Sequence, residues 1–228
     1  MNFFNPDNWL WRGFGRLADF FILSALWILC SIPVVTIGAS WTALHHTMMK
    51  MLREKEINPF KTFWHSFWQN WKESTLVFVV ALVIVGILAL ELYWCRQFTG
   101  MPSLFIFGLY AMMVAVVVLC IYLFPVIAAF NGNLKAHIKE SLYFAFSRPL
   151  DLILIVAAHV VPMVATYMDL KRLPLYAFLW FFMGFASVVT FTASLLLKQF
   201  NPFLDATHED APQKSEREIL EEMKKLDV

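Results

Sequence analysis

Apolar and polar positions alternate along this chain on two length scales. On the longer scale, almost wholly apolar runs occupy residues 17–35, 75–94, 104–130, 152–168 and 174–197. Each is near the roughly 20 residues that a helix needs to cross about 30 Å of hydrocarbon. On the shorter scale, the segments between them carry apolar residues at helical spacing. Residues 38–54 read as a helix with Trp41, Leu44, Met48, Met51 and Leu52 on one side. In residues 58–72, Phe60, Phe63, Trp64, Phe67, Trp68 and Trp71 recur at i, i+3, i+4, i+7, i+8 and i+11, which makes one face of a 3.6-residue helix. Lys61, Thr62, His65, Ser66, Gln69, Asn70 and Lys72 make the opposite face. Asn58 suits the N-cap and Pro59 the first helical position. Such a helix is expected to lie in the plane of a membrane surface or in the groove of a partner. After the break at Asn131-Gly132-Asn133, Leu134, Ile138, Leu142 and Phe146 mark a second surface helix. In the tail, Ser215 and Glu218 form a capping box ahead of Ile219, Met223 and Leu226, the signature of a short amphipathic helix.

The pattern predicts an all-α, polytopic membrane protein: five transmembrane helices with amphipathic interfacial helices between them. Residues 1–200 form one transmembrane domain, and residues 201–228 a polar tail. Composition agrees, with 60% hydrophobic and 15% charged residues, well away from a soluble domain. A net charge of +1 gives no electrostatic footprint for nucleic acid. Cys30, Cys95 and Cys120 read as small core side chains rather than a disulfide framework, and the aromatic N-terminus shows no cleavable signal. Five spans place the termini on opposite sides. Lys50, Arg53, Lys55, Lys61 and Lys72 fall in the first long loop and Lys135, Lys139 and Arg148 in the third, against Arg12, Arg16, Arg96, Lys171 and Arg172 on the other side. The positive-inside rule then puts the N-terminus outside and the tail in the cytoplasm. Residues 17–94 and 104–168 share the order span, amphipathic helix, span, a candidate internal duplication of a kind common in transporters.

Candidate chemistry is sparse. P-loop, Gly-x-Ser-x-Gly and His-Glu-x-x-His patterns are absent from the sequence. The adjacent His45 and His46 lack further ligands at metal spacing, so no cofactor and no enzymatic activity are expected. His159, in the fourth apolar run and three residues before Pro162, is a candidate intramembrane polar site. It either bonds a nearby carbonyl or hydroxyl, or marks the substrate site of a self-contained small-molecule transporter. Between the first run and the helix after it, Pro33, Thr36 and Gly38 read as a structural turn. Pro33 ends regular bonding, Thr36 caps, and Gly38 permits close helix approach, helped by the small residues Ala39, Ser40, Thr42 and Ala43.

These residues also carry a resemblance. Pro33, Thr36, Gly38, Ala39, Thr42 and Ala43, followed by Phe60, Phe63, Phe67, Lys72 and Ser74, resemble the YesL-like family of bacterial multi-pass membrane proteins. The likeness is clearest over residues 17–74; members often carry Asn where this chain has Ser24. No activity is established for that family, so the resemblance implies no catalytic residues. Its setting beside sugar permeases implies an accessory or assembly subunit of a carbohydrate ABC importer for oligosaccharides released from polysaccharides, in the bacterial cell membrane. ABC-type sugar permease subunits and the lipid bilayer are then the expected partners. The expected contact surface is Phe60, Phe63, Trp64, Phe67, Trp68 and Trp71.

Overall fold

The computed structural model describes residues 9–54, 57–97 and 102–204. The N-terminal aromatics through Asn8 and the tail helix expected at 215–226 lie outside the described residues. Among those described, all regular structure is helical: α1 (Trp9–Cys30), α2 (Ile37–Arg53), α3 (Pro59–Gln97), α4 (Ser103–Ala129), α5 (Leu134–Ser147), α6 (Pro149–Met168) and α7 (Leu170–Leu204). Four of these, α3, α4, α6 and α7, are long and apolar enough to cross a membrane. The segment expected as a fifth span, 17–35, falls on α1, which is not among these four. This helix stops at Cys30, ahead of Pro33, and a short 3₁₀ turn at Val34–Thr36 leads into α2.

Two expectations about the short helices need correcting. The aromatic segment at 58–72 is not a separate helix in the membrane plane. It is the first third of α3, which runs unbroken for 39 residues, or about 58 Å at 1.5 Å per residue. Polarity changes between Lys72 and Thr75, but no proline or glycine interrupts the backbone there. Nor is α2 a surface helix, for it lies at the centre of the molecule. Ala39, Ala43, Leu44 and Met48 join Phe63 and Phe67 of α3, Tyr122 and Val126 of α4, Ile155 of α6 and Val189 and Leu196 of α7 in the main core. The polar residues of α2 conceal this in the sequence. Ser40, Thr42 and Thr47 each donate to the carbonyl four residues back, and His45 Nδ1 bonds the Trp41 carbonyl. Each of these donors is thus satisfied within its own helix, so burial leaves it partnered.

Polar bonds between helices then fix the register. Thr42 Oγ1 lies 2.9 Å from Ser74 Oγ, joining α2 to α3. His46 Nδ1 donates to the Ala128 carbonyl of α4. His137 of α5 bonds Glu73 of α3 at 2.9 Å, and Gln199 of α7 donates to Asp151 of α6. Phe21 of α1 stacks on Phe182, where α7 widens into a π turn at Trp180–Gly184. The α1–α2–α3 and α4–α5–α6 segments share an order of elements and differ in build. Helix α3 is continuous, whereas Pro149 separates α5 from α6.

Two predictions follow from the packing of α2. A Cβ at Gly38 would collide with the Ser74 carbonyl oxygen and stand 2.7 Å from Phe78 Cβ. Backbone cannot yield as a side chain can, so Gly38→Ala should destabilise the fold by roughly 1–3 kcal/mol. Gly86→Ala, with open space around it, should not. Thermal unfolding of both variants in one detergent distinguishes them, and equal melting temperatures would refute the close contact. The second concerns His45. Complete burial pushes its pKa down from 6.5 to about 3, against the opposing effect of the Trp41 carbonyl. The unfolded chain therefore binds more protons than the folded one across that window, and the stability held by neutral His45 drains away as pH falls below 6.5. Unfolding measured from pH 7 to 4 should show a loss of up to ~1.4 kcal/mol per pH unit that His45→Gln removes. An unaltered slope in the variant would mean that another group is responsible.

Candidate functional site

The long helix α3 divides its aromatic residues between two surroundings. At its start, Asn58 Oδ1 accepts the Lys61 N–H at 3.1 Å, and Pro59 occupies the first turn. Phe63 is fully buried and Phe67 nearly so, packed against α2 and stacked on each other at 6.4 Å. Ser66 and Ser74 share that buried side. Phe60, Trp64, Trp68 and Trp71 instead remain 38–56% exposed. The six-ring face expected from periodicity thus splits. Two rings hold α3 to the core and four stand free along the helix at i, i+4, i+8 and i+11. Trp64 meets Trp68 edge to face at 6.0 Å, and Trp68 meets Trp71 at 6.3 Å, an arrangement favoured by the ring quadrupoles. Lys61, His65 and Lys72 are exposed beside the stripe.

The stripe spans about 16 Å along the axis and ends at Trp71, before the apolar run that begins at residue 75. It therefore lies outside that run, on a helix long and apolar enough to cross a membrane. A rigid row of large rings with cationic neighbours can supply the buried anchors that dominate protein interfaces.

The turn residues sit where they hold α1 to α2. Pro33 precedes the 3₁₀ turn, and the Thr36 hydroxyl lies 2.6 Å from the Cys30 carbonyl and 2.7 Å from that of Pro33. The terminal carbonyl of α1, at Cys30, is thereby capped as the chain enters α2. Gly38 then allows α2 to touch α3 at Ser74 and Phe78.

His159 lies apart from both features. Its Nδ1 donates to the Ile155 carbonyl at 2.8 Å, and its ring packs on Trp41 at 5.6 Å. Its Nε2 is buried without a hydrogen-bond partner, as are His45 Nε2 and Trp27 Nε1. Beside His159 opens a cleft of about 570 Å³ between α3 and α4 on one side and α6 and α7 on the other. Leu82, Val117, Val160 and Met163 line it, with Trp41 and Phe185 at the back. Its walls are almost wholly carbon, which suits a hydrocarbon rather than a sugar or an ion. Periodicity could not reveal it, because residues of six helices, from Trp27 of α1 to Val188 of α7, build it.

Among the described residues, no three His, Cys, Asp or Glu side chains gather in a metal-binding group. A smaller hollow at the α2 end is lined by His46, Met49, Lys50, Arg53 and Glu54, with Lys50 paired to Glu54 at 3.8 Å. Burial lowers the pKa of His46 here, most strongly through desolvation.

No curated protein and no solved structure matches the chain. Residues 20–92, which hold the second half of α1, the Pro33 turn, α2 and most of α3, match a family described as a protein of unknown function, DUF624.

Proposed function

We propose that this helical membrane protein is an accessory or assembly subunit of a carbohydrate ABC importer, and that it docks on the permease through α3. The observation that carries the docking is the exposed row of Phe60, Trp64, Trp68 and Trp71, held rigid beyond the apolar run of a membrane-spanning helix. The importer as partner rests on the resemblance to the YesL-like family, and the match of residues 20–92 to DUF624 is consistent with it. In this reading α1 is the fifth span. The N-terminus lies outside, and the Lys- and Arg-rich loops, the Arg53 end of α2 and the aromatic start of α3 face the cytoplasm of a bacterial cell. The protein itself contributes surface rather than catalysis. Phe63 and Phe67 support that surface from beneath, because they are taken up in the core.

The test is copurification of the tagged protein in mild detergent from its native host, grown on polysaccharide. Replacing Trp64 and Trp68 together with Ala should reduce the recovered permease subunits at least tenfold, since central aromatic anchors are each worth about 2 kcal/mol or more. The amount of variant in the membrane should stay at the wild-type level. Undiminished permease recovery would sink the reading.

A further inference from the structure

The cleft beside His159 has a depth that names its occupant. Leu82 lies near the middle of the apolar run 75–94, Val117 at the middle of 104–130, and Val160 at the middle of 152–168. All three line the cleft, which therefore sits near the midplane of the membrane these runs span. Leu82, Val117, Val160 and Met163 are each about half-exposed or more, so the opening faces sideways, into the hydrocarbon. No aqueous ligand is at hand at that level. A sugar or an ion entering would lose its hydration and find almost no polar wall to replace it. The volume, about 570 Å³, falls within the range of small-molecule sites.

The cleft also has an architectural cause. At the α2 end, α3 and α4 are drawn into the main core through Phe63, Phe67, Tyr122 and Val126. At the other end they hold mainly to each other, through a separate cluster of Leu88, Cys95 and Leu109. The pair therefore leans away from α6 and α7, and a gap opens where no side chain reaches across. Aromatic residues close its back: Trp27 packs on Trp41 at 5.6 Å and on Phe185 at 4.0 Å.

We propose that this cleft is a binding site for one acyl chain of a membrane phospholipid, which inserts between the α3–α4 pair and α6–α7 and rests against the wall of Trp41 and Phe185. The site is independent of the docking stripe on α3, and the tests of the two do not share a readout.

Native mass spectrometry of the full-length protein, purified and washed in delipidating detergent, reads the retained lipid directly. The wild type should keep about one phospholipid per chain. Val117→Trp and Val160→Trp, which fill the cleft, should each lower the retained fraction at least tenfold. Leu104→Trp, on an exposed position elsewhere on α4, should not. Equal retention in wild type and cleft variants would overturn the proposal. A second measurement does not depend on the variants folding. The wild-type protein is placed in phosphatidylethanolamine–phosphatidylglycerol vesicles containing a phospholipid with a diazirine midway along one chain, and is then irradiated. Labelling, assigned residue by residue, should concentrate on Val117 and Val160 over Val83, Val114 and Val161, which are exposed near the same depth and do not line the cleft. Labelling spread evenly over the lipid-exposed residues would overturn the proposal.

Discussion

The close approach of α2 to α3 is the contact on which the rest of the structure depends. At Gly38 the two helices are so near that a single added methyl group would strike the Ser74 backbone. Thr42 and Ser74 then join them by a buried hydrogen bond. Small residues permit the approach, and the hydroxyls beside them stay satisfied by bonding within their own helix. Once α2 is seated there, its remaining faces become the surface on which α4 and α7 pack, and Phe63 and Phe67 are drawn inward with them.

That arrangement also accounts for what remains exposed. A helix offers only part of its circumference to one neighbour. With Phe63 and Phe67 committed to α2, the rings one step around α3 have nothing to cover them. Because α3 is continuous, the uncovered row is held at a fixed angle to the membrane span instead of floating on a hinge. The stripe and the core contact are thus two sides of one helix, and the geometry of the first is set by the packing of the second.

At membrane depth the same core has a different consequence. The helices converge where α2 fills the space between them and separate where it does not. The cleft beside His159 lies where α2 gives out, next to Trp41 in its second turn. His159 itself is held by the Ile155 carbonyl and the Trp41 ring. Its placement makes it part of the cleft wall, and the chemistry of that wall is set by the carbon around it.

Local sequence determined where most of the helices lie and several of their ends. The apolar runs are long enough to identify α3, α4, α6 and α7 without any tertiary information, because crossing hydrocarbon imposes a length on each. Asn58-Pro59 starts α3, Asn131-Gly132-Asn133 separates α4 from α5, and Pro149 opens α6, each through the conformational limits of the residues themselves. Only the tertiary structure decided which surfaces are covered. Periodicity places six aromatics on one face and cannot say that two of them are buried in the core while four stay 38–56% exposed. It marks Ser40 and Thr42 as small enough for close helix approach and cannot say that His45 is buried with them, because a donor that bonds the carbonyl of its own helix looks the same in sequence as one that bonds water. The unbroken course of α3 was hidden for a related reason: a change of polarity at Lys72–Thr75 marks a change of surroundings, and the backbone answers only to the residues that break it.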